Sequence, residues 1–466
     1  MVMIVAPIVV AVGTYILRRF VWIQLILSCT TMLFLSLLVQ KAPMDQMVVV
    51  FGRDMYFGSS WAILGRAFVM VNHDMPLLTF LFISVLIFFV CGALVSVGFM
   101  FYPILLGLVA IIMAIIFVQP FVYAALFIQL MAVLCVFIMT DKIYDNIKAS
   151  LRYLSFVSIG VPFILMAGWQ LEMFQVTPDD TDLLVNASWM LGVGIFVLLG
   201  VVPFHTWMPI LSRRSSPIVA SFVISIVQLA ILFFLVDILV EFEWMRNNLQ
   251  FFSALLLSGI VMVLIGGIFI LNQENIGNIM GYSALIDWGC TLVAIGLRLP
   301  ESIGIATMII STRVLSLIVW GVGVSSVFNN DNNKTIHNMQ NYMKSKPYST
   351  IAIFVAGMSL GAMPLFAGFP ARWALVNLLS DNYMTYSIII VVASVFIWLC
   401  YLNLLAKMHL RYDFLNKNFY KLTRENKGVV VFSFCSFVVI VGLGIAPQFL
   451  YNRVVLIFDT LSLLLN

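Results

Sequence analysis

The sequence has little charge. Only 9% of its 466 residues are Asp, Glu, Lys or Arg, whereas an ordinary soluble domain carries roughly a quarter. With 63% hydrophobic residues and a mean hydropathy of +1.11, this shortage excludes a soluble globular protein, a disordered chain and a nucleic-acid binder. The apolar runs continue for about 20 residues without the alternation of outer-membrane barrel strands. The composition therefore predicts an all-α polytopic membrane protein.

Cysteine and histidine are also sparse. The six cysteines are widely spaced within apolar runs and form no CxxC pair, and the four histidines lack the spacing of metal ligands. This pattern predicts neither a disulfide framework nor a metal or cluster site. We therefore expect no cofactor on this chain, so that any redox cofactor belongs to another protein.

The basic residues indicate an orientation in the membrane. Apolar runs of spanning length occur about fourteen times, each near the 20 residues that a bilayer requires. If the N-terminus lies outside, most of the 24 Lys and Arg residues fall in inward loops, as the positive-inside rule requires. The predicted inner loops are residues 141–152, 329–347 and 409–427.

Residues 41–76 separate the second and third apolar runs and are predicted as a long outward loop. This loop contains Arg53, Asp54, Arg66 and Asp74. Either it contacts a further protein or it is a solvated loop without a partner, and the sequence leaves both open.

Proline and glycine interrupt two of the apolar runs. Such breaks at corresponding places in two halves are typical of transporters built from inverted repeats, in which broken helices line the ion path. Ordinary proline kinks in membrane helices would give the same pattern. The breaking residues are Pro203 and Pro209 in the first run, and Pro364, Gly368 and Pro370 in the second.

Four motifs around these breaks resemble a known family. They are VPFHTWMP at 202–209, NIGNIMGYSALIDWG at 275–289, SLGAMPLFAGFPAR at 359–372 and GIAP at 444–447. In this order they resemble the antiporter-like membrane-arm subunits of proton-translocating NADH:quinone oxidoreductase, or complex I. The overall length and the form of the third motif are most similar to subunit 2, which is called chain N in bacteria.

The resemblance implies a fold of about fourteen helices with two inverted five-helix repeats and broken seventh and twelfth helices. Its divisions would be the first three helices with the outward loop (1–100), the first repeat (101–241), the second repeat (242–408) and the C-terminal helix region (409–466). It also implies lipids and other membrane-arm subunits of a large hetero-oligomeric complex as partners. The NADH, FMN, iron–sulfur clusters and quinone would lie in partner subunits, in the mitochondrial inner membrane or the bacterial cytoplasmic membrane.

The resemblance also implies proton-carrying residues that this sequence lacks. Typical members pair a glutamate on the fifth helix with a lysine on the seventh, and carry further charged residues on the eighth and twelfth. The corresponding positions here are Gln129, Leu198, Gln228 and Arg372. Glutamine and leucine do not titrate and arginine stays protonated, so the proton path of this chain is predicted to be degenerate.

Two further charges lie inside apolar runs. Asp287 occupies the histidine position of the tenth-helix motif, and Arg313 lies in the middle of the eleventh run. Because a charge within the bilayer must find a partner, we favour a static Asp287–Arg313 ion pair over a titrating Asp287. His205 either carries a proton or, as its surroundings favour, caps the broken helix.

The resulting hypothesis is a complex I membrane-arm subunit that contributes to an NADH:quinone reductase without redox chemistry of its own. It would couple electron transfer elsewhere to proton translocation. The alternatives are a subunit of a multi-chain cation/proton antiporter or of a membrane-bound hydrogenase, and a non-pumping antiporter-like scaffold.

Overall fold

The structure is a computed structural model that describes residues 1–41, 46–50, 53–57, 60–63, 65–70, 74–95, 97–140, 147–177, 179–328, 345–409, 425–449 and 451. Helices dominate this part of the chain. They are α1 Val2–Ile16, α2 Val21–Lys41, α3 Met75–Val95, α4 Phe101–Phe117, α5 Val122–Met139, α6 Ile147–Val176, α7 Asp182–Leu198, α8 Trp207–Arg214, α9 Pro217–Phe222, α10 Gln228–Glu241, α11 Glu243–Arg246, α12 Leu249–Ile270, α13 Ile276–Gly296, α14 Pro300–Phe328, α15 Pro347–Leu360, α16 Gly368–Ser380, α17 Met384–His409 and α18 Lys427–Ile445.

Within the described residues, ten helical segments are long and apolar enough to cross a membrane, and four further apolar helices are shorter. Three segments form the enclosed centre: Pro217–Glu241, Ile276–Gly296 and Pro300–Phe328 have 89%, 94% and 89% of their apolar windows buried. The first of these joins α9 to α10 through a π-helical turn, Val223–Val227. The protein is a multi-pass integral membrane protein. The count of fourteen spans and the inverted repeats stay predictions.

Glycine allows the central helices to approach closely. A Cβ atom on Gly259 of α12 would lie 2.6 Å from the carbonyl oxygen of Gly289 on α13, and a Cβ on Gly289 would lie 2.7 Å from the carbonyl oxygen of Gly259. Small residues at such crossings let membrane helices pack backbone against backbone. Asn275 caps the start of α13 by accepting a hydrogen bond from the backbone N–H of Gly277 at 2.9 Å.

The segment 41–76, predicted as a loop, contains four strands. They are β1 Gln46–Val50, β2 Arg53–Phe57, β3 Ser60–Ile63 and β4 Arg66–Val69. β1 pairs antiparallel with β2, and β3 with β4. β4 also pairs with β5, Val118–Gln119, which lies between α4 and α5. Short runs rich in Val and aromatic residues favour strands, which accounts for the difference from the predicted loop.

The second of these hairpins, β3–β4, packs on a transmembrane helix. Its turn contains Gly65, whose φ of +75° lies in the region that glycine adopts without strain. The guanidinium of Arg66 lies 3.9 Å from the ring centroid of Tyr123 on α5. The ring of Phe68 contacts that of Phe127 on the same helix, with 6.3 Å between centroids.

Two breaks interrupt the helices where the sequence places them. The first break, residues 199–206, separates α7 from α8 and contains Pro203 and a short 3₁₀ turn, Phe204–Thr206. The second break, residues 361–367, separates α15 from α16 and contains Pro364.

The other breaking residues lie in the helices that follow. Pro209 and Pro370 are each the third residue of their helix, where a missing N–H costs no intrahelical hydrogen bond. Gly368 begins α16, and a Cβ there would collide with the carbonyl of Ser359. Proline thus lies in the first turn of the helix after each break, and glycine begins the helix after the second.

Some predicted segments lie outside the described residues. These are half of the predicted inner loop 141–152 (residues 141–146), most of the other two predicted inner loops (residues 329–344 and 410–424), and the end of the C-terminal helix region after residue 451. The orientation inferred from the basic residues stays a prediction.

Candidate functional site: a buried ion cluster between two helix breaks

A cluster of three charged residues lies in the enclosed centre. Asp287 on α13, Arg313 on α14 and Arg372 on α16 are 5%, 2% and 3% exposed. Nη2 of Arg372 donates to Oδ1 of Asp287 at 2.5 Å. Nη1 of Arg313 lies 4.0 Å from Oδ2 of the same carboxylate. We call these three residues the ion cluster.

The geometry corrects the predicted pairing. The Asp287–Arg313 contact exists, but Arg372 is the closer partner of the carboxylate. The sequence places Arg372 at a family position without assigning it a partner. The break before α16 accounts for the difference, because it lets a separate short helix carry Arg372 into the centre, where it also donates to Oγ of Ser394 at 3.2 Å.

Arg313 is held mainly by oxygen atoms other than those of Asp287. Its Nη1 donates to the carbonyl of Ala284 at 2.9 Å, and its Nη2 donates to the carbonyl of Ile224 at 3.1 Å and to Oε1 of Gln228 at 2.7 Å. Ile224 lies in the π-helical turn, where the altered backbone ladder leaves a carbonyl available to another donor. The guanidinium also lies 4.8 Å from the ring centroid of Trp288, a cation–π distance.

The end of α7 is joined to this cluster. The carbonyl of Leu199, at the C-cap of α7, accepts hydrogen bonds from Nε2 of Gln228 at 3.2 Å and from Nε1 of Trp288 at 3.1 Å. A helix end leaves carbonyls without an intrahelical donor, and the break exposes this one to the centre. Gln228 therefore bridges the first break and Arg313.

The second break has a similar contact. The carbonyl of Gly361, at the C-cap of α15, accepts a hydrogen bond from Nε1 of Trp398 on α17 at 2.7 Å. Two residues before Gly361, Oγ of Ser359 accepts a hydrogen bond from Oγ of Ser316 on α14 at 2.8 Å. Each break is thus stabilised by side chains from neighbouring helices.

The other predicted positions lie apart from the cluster. Gln129 donates to Oγ of Ser158 on α6 at 2.9 Å, on a partly exposed face of α5. Leu198 is 2% exposed, and its side chain lies 3.0 Å from the position that a Cβ on Gly160 would occupy. The two positions where the family carries its glutamate–lysine pair thus make helix-packing contacts here.

His205 lies within the first break and is 8% exposed. Its buried Nδ1 has no hydrogen-bond partner within the described part of the chain. The side chain of Thr206, at the N-cap of α8, makes no capping hydrogen bond either. No hydrogen bond of Nδ1 within the described residues therefore supports the predicted role of His205 as a helix cap.

The charges of the cluster do not balance within it. With all three groups ionised, two guanidiniums face one carboxylate and leave one net positive charge. The carbonyl dipoles around Arg313 and the amide of Gln228 stabilise that charge. Because arginine stays protonated under any ordinary burial, Asp287 is the member of the cluster that could exchange a proton.

Sequence reasoning did not find the side chains that contact the ion cluster or the carbonyls at the breaks. Trp288, Trp398 and Ser394 resemble ordinary apolar or small residues of a membrane helix. The odd number of charged residues inside apolar runs is the signal that could have indicated a cluster, because three charges cannot all form separate pairs.

The sequence and fold match known membrane proteins. Residues 120–397, more than half of the chain, match the family described as NADH:quinone oxidoreductase/Mrp antiporter, TM. NADH-quinone oxidoreductase subunit N of Chromohalobacter salexigens is 27% identical over 44% of this chain and 43% of its own length. NADH-ubiquinone oxidoreductase chain 2 of Cynictis penicillata is 29% identical over 57% of this chain and 71% of its own length.

Solved structures share the whole fold at low identity. A chain of the archaeal membrane-bound sulfane sulfur reductase has a TM-score of 0.80 at 15% identity and covers 100% of this chain and 97% of its own. A chain of respiratory complex I from Thermus thermophilus has a TM-score of 0.76 at 13% identity, with 99% and 100% covered. The first subunit N proteins matched are aligned over 43% to 61% of their own length. On the family match, this chain belongs to the NADH:quinone oxidoreductase/Mrp antiporter transmembrane family.

Proposed function

We propose that this chain is a membrane-arm subunit of a respiratory NADH:quinone oxidoreductase. In such an assembly, electron transfer in other subunits drives proton translocation through the membrane arm. Family membership and the relatives named subunit N and chain 2 support this assignment over the other members of the family. The chain would contribute no redox chemistry, and NADH, FMN, iron–sulfur clusters and quinone would bind to partner subunits.

The observation that carries the proposal is the ion cluster and its position between the two breaks. Ionisable residues inside a membrane are costly and are found where ions move or where charges hold helices together. Asp287 and Arg313 come from two helices of the enclosed centre, and Arg372 comes from α16, the helix that follows the second break. The burial of these charges among the central helices supports a role of this region in the membrane arm.

The proposal includes a degenerate proton path in this subunit. Gln129 and Leu198 make packing contacts, and Gln228 binds Leu199 and Arg313 through its amide. None of these three side chains can take up or release a proton. Proton movement by the complex would then depend on its other subunits, while this chain maintains the continuity of the membrane arm.

The composition of the assembled complex tests the proposal. A tag on this chain would be used to purify the complex from native membranes, and its subunits would be identified by mass spectrometry. We expect co-purified subunits that bind flavin and iron–sulfur clusters, together with NADH:quinone reductase activity. Recovery of antiporter subunits alone would assign the chain to a multi-chain cation/proton antiporter, and recovery of a hydrogenase would assign it to that class.

The scaffold alternative rests on the same cluster. Since both arginines are permanently charged, Asp287 would stay ionised between them and act as a structural link. Substitution of Asp287 by Asn distinguishes this structural role from proton transfer.

A further inference from the structure

The carbonyl of Leu199 receives two hydrogen bonds, one from Gln228 and one from Trp288. It is the terminal carbonyl of α7, so these two donors replace the intrahelical N–H that the first break removes. Both of its lone pairs can be occupied in this way. The conformation of the first break therefore depends on where these two side chains lie.

Both donors are themselves in contact with Arg313. Gln228 accepts a hydrogen bond from Nη2 of Arg313 at 2.7 Å, and the ring of Trp288 lies under the guanidinium at 4.8 Å. A glutamine amide can donate and accept at once. A single side chain thus connects a buried cation to the carbonyl that ends α7.

We propose that Gln228 is a positioning residue that couples the first break to the guanidinium of Arg313. A shift of Arg313 would move Oε1 of Gln228, and the rigid amide would carry Nε2 away from the carbonyl of Leu199. The break would then loosen. This role requires neither a proton on Gln228 nor any particular activity of the assembled complex, so it goes beyond the proposed function.

The second break supplies an internal comparison. Its terminal carbonyl, that of Gly361, is held by the indole of Trp398. An indole N–H donates but has no acceptor atom, so Trp398 cannot pass a hydrogen bond from a cation to the carbonyl. The coupling that we assign to Gln228 has no counterpart in this contact.

Hydrogen–deuterium exchange of the purified complex in lipid nanodiscs would test the coupling. The amides of Leu199, Gly200 and Val201 donate to carbonyls in the last turn of α7, and the amide of Phe204 donates to the carbonyl of Val201. Peptides covering 199–206 therefore report the opening of the first break. Arg313→Lys retains the charge but loses the fork that reaches Gln228 and Ile224. We expect it to speed exchange in 199–206 about fivefold, as expected for the loss of one net hydrogen bond.

Two substitutions of Gln228 separate its two contacts. Gln228→Met removes both hydrogen bonds, whereas Gln228→Glu keeps the acceptor for Arg313 and loses the donor to Leu199. Each should speed exchange in 199–206 by itself. When Arg313→Lys is added to either Gln228 variant, the exchange rate in 199–206 should rise by less than a further twofold. Because Gln228→Glu keeps a hydrogen-bond acceptor for Arg313, this variant still tests the coupling if the Gln228→Met protein fails to assemble into the complex.

Trp398→Phe is the matched control, because it removes one donor from a terminal carbonyl at the other break. It should speed exchange in 361–367 and leave 199–206 unchanged. Fully additive effects of Arg313→Lys and the Gln228 substitutions would overturn the proposal. So would an Arg313→Lys variant that leaves exchange in 199–206 unchanged. If Gln228 instead held the first break independently of Arg313, the effects of the two substitutions on exchange in 199–206 would add.

Discussion

Nη2 of Arg372 lies 2.5 Å from Oδ1 of Asp287, whereas Nη1 of Arg313 lies 4.0 Å from Oδ2 of the same carboxylate. This contact joins the short helix after the second break to the enclosed centre of the protein. The carboxylate therefore depends mainly on an arginine that the chain supplies from a broken helix, and the second arginine depends mainly on carbonyl and amide oxygens.

Replacement of the two arginines should have unequal effects. Arg372→Met removes the hydrogen-bonded partner of Asp287, and breaking one side of a buried pair costs roughly 3–5 kcal/mol. Arg313→Met leaves an electroneutral Asp287–Arg372 pair and should cost less. The measurement is the fraction of tagged chain found in the assembled complex, with the midpoint of thermal unfolding. Equal losses, or a greater loss for Arg313→Met, would contradict this order.

The double substitution Asp287→Leu with Arg372→Leu should recover most of the loss seen with Arg372→Met. Replacing a buried ion pair by apolar side chains is often neutral or stabilising. Arg313 would retain the carbonyls of Ala284 and Ile224 and the amide of Gln228. The recovered assembly would be compared with both single substitutions in a double-mutant cycle, and additive losses would show that the two residues do not act as a pair.

Asp287→Asn tests whether the carboxylate carries protons. If it is a structural link, the protons moved per electron pair by fully assembled complex should be unchanged, although less complex is assembled. The quantity is measured in proteoliposomes with matched amounts of assembled complex. A lower proton ratio in that material would identify Asp287 as a proton carrier.

Gln129→Leu should leave the proton ratio unchanged, because glutamine does not titrate. The substitution removes the hydrogen bond from Gln129 to Ser158 and should alter the free energy of unfolding by about 1 kcal/mol. Ser158→Ala removes the same bond from the other side and is the matched control. A fall in the proton ratio with Gln129→Leu but not with Ser158→Ala would show that the amide lies on a proton path.

Gly200→Ala should weaken the first break. Gly200 has a φ of +69°, and a left-handed backbone costs other residues about 1–2 kcal/mol. An added Cβ would also lie 2.9 Å from Nε1 of Trp207 and 3.0 Å from Cε of Met208. Gly442→Ala in α18 is the control, because its Cβ would meet nothing within 4 Å and alanine favours a helix. Similar thermal stability of the two variants would argue against strain at Gly200.

The sequence predicts the membrane fold and the helix breaks because each rests on local chemistry. Long apolar runs have few alternatives in a bilayer, and Pro203 and Pro364 cannot continue a helical hydrogen-bond ladder. The sequence also identifies Asp287 and Arg313 as residues that need partners. It does not determine those partners, since the choice depends on how three helices cross.

Other features depend on geometry that no single segment contains. The contact of Gln228 with Leu199 requires the end of α7 to meet the residue that follows the π-helical turn. The strands between α2 and α3 are short, and the two-residue strand β5 between two long helices gives no pattern of its own. Pairing of β4 with β5 follows from where α4 and α5 end.

The pairing of β4 with β5 has a consequence for biosynthesis. Ala67 pairs with Gln119 and Phe68 with Val118, so α3 and α4 are synthesised after β4 and before its partner strand. The three-stranded sheet therefore cannot be completed until both helices have been synthesised and β5 lies beside β4. A nascent chain in which α4 fails to insert would expose an unpaired strand edge, to which other chains can add. Completion of this small sheet is thus a marker that α3 and α4 have brought the chain back to β4.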